Sequence, residues 1–224
     1  MTDGGPAGNA RRGGESGDAD RLVEAALAED VGDGDRTTAW SVPAGARGAA
    51  AIVSRREGVI AGGALVERVF GALSPDVRVE LGVEDGGSVE AGDPVCRLRG
   101  PLAPILTGER TALNFLSHLS GVATRTREFV RAVEHTGCRI TDTRKTTPGW
   151  RRLEKAATRA GGAVNHRMGL YDMVLLKENH IRAAGGVRAA VEAVRGPADD
   201  EGLAVELEVE SVSELREALP AGPD

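Results

Sequence analysis

The sequence predicts an α/β chain in which a small α+β layer is followed by parallel strands with helices outside. Two observations lead there. From residue 138 onward, short β runs at 138–143, 162–166, 172–177 and 203–209 alternate with helical runs at 150–160, 187–195 and 212–219, the rhythm of βαβ units. Before residue 100, strand-like runs are separated mainly by turn-rich Gly and Asp, as in hairpins. With 224 residues, 41% of them hydrophobic, the chain can bury a core and hold one or two domains.

The elements follow in order. Residues 1–19 hold Gly, Asp, Arg and Ser with almost nothing apolar, so they are expected to be a disordered tail. From Asp20, a good N-cap, Leu22, Val23, Ala26 and Leu27 recur at helical spacing until the Gly-Asp cluster at 32–35. That cluster, Asp30-Val-Gly-Asp-Gly-Asp35, superficially looks like a calcium loop. Its acids are misplaced and Ser41 stands at the twelfth position, so it reads as a plain loop. Residues 48–60 read as strand, Ala64–Leu73 as a short helix, and Val77–Leu81 and Val95–Leu98 as strands around a turn-rich segment. This hairpin resembles those of biotinyl and lipoyl carrier domains, whose modified residue is a lysine at the tip. No lysine precedes Lys145, which excludes a carrier. Thr107 is expected to cap a long helix with Ala112, Leu113, Leu116 and Leu119 on one face, kinked at Ser120-Gly121. It joins the two halves.

Charge and composition narrow the function. No stretch approaches the roughly 18 apolar residues of a membrane helix, and the N-terminus lacks the apolar core of a signal peptide; a cytoplasmic protein without a membrane partner is expected. Cys96 and Cys138 stand far apart without metal-ligand spacing and read as two buried apolar residues in a reducing compartment. A net charge of −6 argues against nucleic acid as a partner. Yet residues 139–182 hold ten Lys or Arg against four Asp or Glu, and all three lysines, Lys145, Lys155 and Lys177, fall there. Something anionic is expected to bind in that window.

The reactive residues of βα barrels sit at the C-terminal ends of the strands. Lys177 ends the apolar run Tyr171-Asp-Met-Val-Leu-Leu-Lys177, read as a strand buried on both faces. Arg144 and Lys145 follow the run 138–143, and His166 and Arg167 follow Gly161–Asn165. Three cationic strand ends at one mouth point to a polyanion site. The run Val205-Glu-Leu-Glu-Val-Glu210 alternates strictly, with Glu206, Glu208 and Glu210 on one face. From it a carboxylate could reach the basic mouth, to hold a sugar hydroxyl or a metal-bound water. Arg110, read as lying in the first turn of its helix, opposes the helix dipole there and is expected to act elsewhere.

These residues lie in motifs. Glu109-Arg-Thr-Ala-Leu-Asn114, Thr141-Asp-Thr-Arg-Lys-Thr146 with Pro148-Gly149, Gly161-Gly-Ala-Val-Asn-His-Arg-Met-Gly-Leu170, Lys177-Glu-Asn-His180 and Glu206-Leu-Glu-Val-Glu210 resemble, in order, those of the quinolinate phosphoribosyltransferase family. That family is also called nicotinate-nucleotide pyrophosphorylase (carboxylating). The likeness runs from about residue 20 to 219.

The resemblance implies an N-terminal α/β sandwich domain over 20–112, then a parallel α/β barrel over 113–224 that is incomplete in this chain. The family continues with further strands, an Asp-bearing strand and Gly-rich phosphate loops. It implies a homodimer, or a higher oligomer built from dimers, in which one subunit completes the other's site. The implied reaction converts quinolinate and phosphoribosyl pyrophosphate to nicotinate mononucleotide, pyrophosphate and CO2 with Mg2+. Arg144, Arg167 and Lys177 resemble the binders of the quinolinate carboxylates, with His166 beside them, and Arg110 the arginine contributed across the dimer. Lys145, Lys177 and Glu208 are the implied catalytic residues, Lys145 at phosphoribosyl pyrophosphate and Glu208 near ribose and metal, through water if at all. The alternatives are an inactive fragment serving as a binding or dimerisation partner, or the family branch associated with molybdenum transport.

Overall fold

A computed structural model describes residues 8–224, with side chains from Gly17 onward. Apolar residues at helical spacing place the first helix, α1 (Gly8–Val31), against the core through buried Val23 and partly buried Leu22, Ala26 and Leu27. The helix starts earlier than Asp20. Residues 1–7 of the expected disordered tail lie outside the described residues, but Gly8–Ala19 are helical. Ala19 is buried in the core and Asp18 pairs with Arg21 and, at 2.9 Å, with Arg152, so contacts that local composition does not reveal anchor the end of this stretch. The acidic loop after α1 serves as a cap: Asp35 accepts the Thr38 N–H at 2.9 Å and starts α2 (Arg36–Ser41). No cluster of three or more metal-ligating side chains occurs among the described residues.

The chain then forms β1 (Arg47–Val53), β2 (Gly58–Val59), α3 (Gly63–Leu73), β3 (Arg78–Leu81), β4 (Ser88–Val89) and β5 (Pro94–Pro101). The expected strand over 48–60 breaks at 54–57, where the Ser54 hydroxyl donates to the Arg56 carbonyl. Strands β1, β5 and β3 form an antiparallel sheet in that order, registered by Ala49↔Arg99 and Arg78↔Arg99; β2 pairs with β4. Alternation buries Cys96 and Leu98 of β5 on the face toward the core and exposes Arg97 and Arg99 on the other, where Val95 at the start of the strand is buried as well. Cys96 is buried as expected, which pushes its thiol pKa up; Cys138 is exposed, because it lies in irregular chain just after a helix.

Helix α4 (Leu102–Val133) begins before the expected cap, with Pro101 as its N-cap. Proline suits a helix start because its fixed φ and missing N–H cost nothing there. Thr107 instead donates to Asp35 at 3.0 Å. The helix runs on through Ser120-Gly121, where the Ser120 hydroxyl accepts the Ala61 N–H at 3.1 Å. Gly108 lets α4 lie close to α3: a Cβ there would meet Leu73 and Phe70 at 2.6 and 2.9 Å. Phe115, Leu116 and Leu119 are buried in the same core as Phe70 and Val66.

After a short 3-10 turn (Glu134–Thr136) come α5 (Arg151–Ala160), β6 (Val174–Leu176), α6 (Glu178–Ala184), α7 (Val187–Glu201), β7 (Val205–Leu207) and α8 (Val212–Ala221). β6 and β7 pair in parallel, as the alternation predicts. The runs at 138–143 and 162–166 contribute one parallel bridge, Thr141↔Val164. The chain divides into two compact units, Met1–Asn165 and His166–Asp224. The second has its own core of Leu176, Ala190, Val191, Ala198 and Val205. No described helix is long and apolar enough to cross a membrane.

Candidate active site

In the first unit, Arg144 and Lys145 leave the bridge Thr141↔Val164 and enter an irregular segment held by α5 and α4. Arg151 donates to the Thr146 hydroxyl at 3.1 Å and toward the Arg144 carbonyl at 3.4 Å. Thr147 N–H donates to Glu154 at 3.1 Å. Trp150 stacks on Phe115 of α4 with ring centroids 4.9 Å apart. Glu154 also meets His118 Nε2 at 2.9 Å; burial pushes its pKa up, but the hydrogen bonds from Thr147 and His118 outweigh that and hold it below the ordinary value.

This framework aims two cations. Lys145 is exposed and lines a cleft of about 250 Å³ with Asp142, Thr143, Thr146, Glu154 and Lys155. Arg144 is half-buried, and its Nε is a buried donor with no hydrogen-bond partner among the described residues. An unmet guanidinium N–H is costly and marks a place for an acceptor. Arg110 is the ninth residue of α4, not in its first turn, because the helix starts at Leu102; the dipole misfit read from the sequence does not exist. Exposed on a separate groove of about 1150 Å³ between β1 and α4, Arg110 does not share the Lys145 cleft.

In the second unit, the strict alternation of β7 has the expected consequence. Glu206 meets His166 Nε2 at 2.6 Å, and Glu208 receives Lys177 Nζ at 2.7 Å on each oxygen. Lys177 ends β6 and is the N-cap of α6, where its backbone N–H donates to His180 Nδ1 at 3.0 Å. The Lys177 side chain is 46% exposed, not enclosed in a doubly buried strand. The expected strand over 171–177 is cut to Val174–Leu176 because Asp172 accepts the Met168 and Gly169 N–H groups at 2.7 and 2.8 Å and makes a loop. Arg167, 8% exposed, donates to the Met173 carbonyl at 3.3 Å across that loop.

The sequence reading passed over Asp142 and Asn165 and saw Lys155 only as one of three clustered lysines. Lys155 reaches from α5 to Asp142, and Asn165 bonds the other Asp142 oxygen at 2.5 Å and the Lys155 carbonyl at 2.9 Å. No local signal marks them: Asp142 and Asn165 each stand one step beyond a bridge residue, Thr141 and Val164, and that pairing is known only from the fold.

Residues 35–120 match the family model "Quinolinate phosphoribosyl transferase, N-terminal domain", and residues 122–224 its C-terminal counterpart. A protein of Bacillus subtilis named probable nicotinate-nucleotide pyrophosphorylase [carboxylating] is 43% identical over 91% of this chain and 70% of its own length. The chain belongs to the quinolinate phosphoribosyl transferase family. A Synechocystis relative of the same name is 45% identical over 86% of this chain, which spans 65% of that relative. The nicotinate-nucleotide pyrophosphorylase structure from Francisella tularensis superposes with a TM-score of 0.89 at 38% identity, covering 93% of this chain and 73% of that one. The mixed α/β architecture is that of quinolinate phosphoribosyl transferases, whose two domain models meet between residues 120 and 122, inside α4.

Proposed function

We propose that this protein transfers the phosphoribosyl group of phosphoribosyl pyrophosphate to quinolinate with loss of CO2, giving nicotinate mononucleotide and pyrophosphate for NAD synthesis. Family membership supports the reaction class, and the names of the Bacillus and Synechocystis relatives favour it over the molybdenum-transport branch. The observation that carries the substrate is the buried, unpartnered Nε of Arg144 beside Lys145. A planar guanidinium matches a carboxylate with two parallel N–H bonds, and a lysine supplies a compact charge. Quinolinate is a pyridine dicarboxylate and phosphoribosyl pyrophosphate a polyanion; both require fixed cations to meet.

In this reading Arg144, Arg167 and Lys177 receive the carboxylates with His166 beside them, and Lys145 holds a phosphate oxygen. Cleavage of the ribose C1–O bond builds positive charge on the sugar and negative charge on pyrophosphate, so preorganised cations lower the barrier. Orienting the pyridine nitrogen at C1 contributes further. Glu208 holds the Lys177 ammonium in place and offers a carboxylate toward the ribose. The ion of this reading is Mg2+, which keeps waters and takes its oxygens chiefly from substrate phosphates. Glu208 would hold it on the protein side, through water, and the ion would neutralise charge on the leaving group. Arg110, on a separate groove, is assigned to the site of a second subunit in a homodimer, and the protein to the cytoplasm.

Isothermal calorimetry tests this reading. Quinolinate should bind at least tenfold more tightly than nicotinate, because the 2-carboxylate pairs with a cation that nicotinate leaves unmet, worth about 1.5–3 kcal/mol. Equal affinities would remove the assignment of Arg144, Arg167 and Lys177.

A further inference from the structure

We propose that the buried Asp142–Lys155–Asn165 network is a positioning device that sets the directions in which two substrate-binding segments leave the bridge Thr141↔Val164; the inference rests on the quinolinate reading above. Asp142 and Asn165 each stand one residue beyond the bridge, on adjacent parallel segments joined by Val164 N–H to the Ile140 carbonyl at 2.9 Å. The next residues along those segments are Thr143-Arg144-Lys145 and His166-Arg167. Whatever fixes Asp142 and Asn165 therefore fixes the roots of both cationic segments.

Lys155 does this from α5. Its side chain is 1% exposed and that of Asp142 8%, and the two are ion-paired. Asn165 bridges the remaining Asp142 oxygen and the Lys155 carbonyl, and Arg159 donates to its Oδ1 at 2.5 Å. A buried ion pair is seldom more stabilising than well-packed apolar residues of the same volume, whereas its hydrogen bonds have direction. The same helix holds the Arg144 segment a second time through Arg151 and Glu154. One helix thus sets where the unmet Arg144 Nε points and where His166 begins. These are positioning residues, since they act through Arg144 and His166.

The test replaces the pair without leaving a buried charge, as Lys155→Met/Asp142→Leu, with Asn165→Leu as a second variant. Both should melt cooperatively near the parent. In hydrogen-exchange mass spectrometry, peptides covering 143–149 and 166–173 should lose at least tenfold in protection while those of α5 and α4 keep theirs. The quinolinate Kd should rise at least tenfold. Parental exchange in both segments, a parental Kd, or loss of cooperative melting in both variants would each overturn the proposal. If the segments loosen but the parent itself binds no quinolinate, the substrate reading fails while the hold of the network on the two segments stands.

Discussion

Arg144 and Lys177 receive different treatment from the same chain. Lys177 has a carboxylate partner in Glu208, while the Arg144 Nε is buried without one, so the two should respond differently to substitution. Arg144→Lys keeps the charge and loses the planar fork; it should weaken quinolinate binding about tenfold to a hundredfold, from a charged hydrogen bond of about 1.5–3 kcal/mol, in a calorimetric titration at fixed salt. Lys177 is half-exposed and its ammonium is already held by Glu208, so Lys177→Arg, which keeps the charge, should be tolerated better than Arg144→Lys. Glu154 carries a pH dependence of stability. Its folded pKa lies below the ordinary 4.5 because the bonds from Thr147 and His118 outweigh its burial. Its contribution is therefore present above about pH 4.5 and is lost as pH falls through the lower folded value. Glu154→Gln should cost about 1 kcal/mol at pH 7, and urea midpoints of parent and variant should draw together under strongly acidic conditions. The positions of Arg144, Lys145, His166, Arg167 and Lys177 just past a bridge or a short strand were legible because the end of a β run is a local pattern. Asp142, Lys155 and Asn165 were not, because burial of a polar group is decided by chain far away in sequence.

Among the elements, α4 shows how local signals mislead about boundaries while naming the element correctly. The apolar face at Ala112, Leu116 and Leu119 is present, yet the helix starts at Leu102 and Thr107 bonds Asp35, because packing on α3 extends it past the nearest cap residue. The parallel β6–β7 pair follows from the alternation of strand and helix runs, whereas the partners that meet, Glu206 with His166 and Glu208 with Lys177, are set by the packing of the second unit. The runs at 138–143 and 162–166 have strand-like composition, but only one bridge forms between them. Where α5 ends, Gly161 has ordinary helical φ and ψ, and a Cβ there would lie 2.5 Å from Thr126 Cβ and 2.6 Å from the Ala123 carbonyl of α4. Gly161→Ala should therefore destabilise by about 1–3 kcal/mol, read from the urea midpoint, although the same change in an open helix stabilises.

For the molecule as a whole, Arg110 decides the question of assembly. It lines the groove between β1 and α4, and the proposed dimer sends it to the neighbouring site. Arg110→Ala and Lys177→Ala proteins should each bind quinolinate poorly. Mixed and re-equilibrated in equal amounts, they should recover about a quarter of the parental sites, since half the dimers are hybrids with one intact site of two. No recovery in a mixture that mass spectrometry shows to contain hybrids would place Arg110 in its own subunit's site. The junction between the family's two halves has a consequence for how such a gene can be rearranged. It falls inside the unbroken helix α4, at the turn where Ser120 and Leu119 bond and pack onto the Ala61–Gly62 segment. A crossover there keeps the backbone continuous but draws buried Leu119 and Ala123, one helical turn apart, from different parents, so the two need not pack together. Shuffled halves from distant relatives should express only when the exchange point is moved out of the helix, into the chain after Val133.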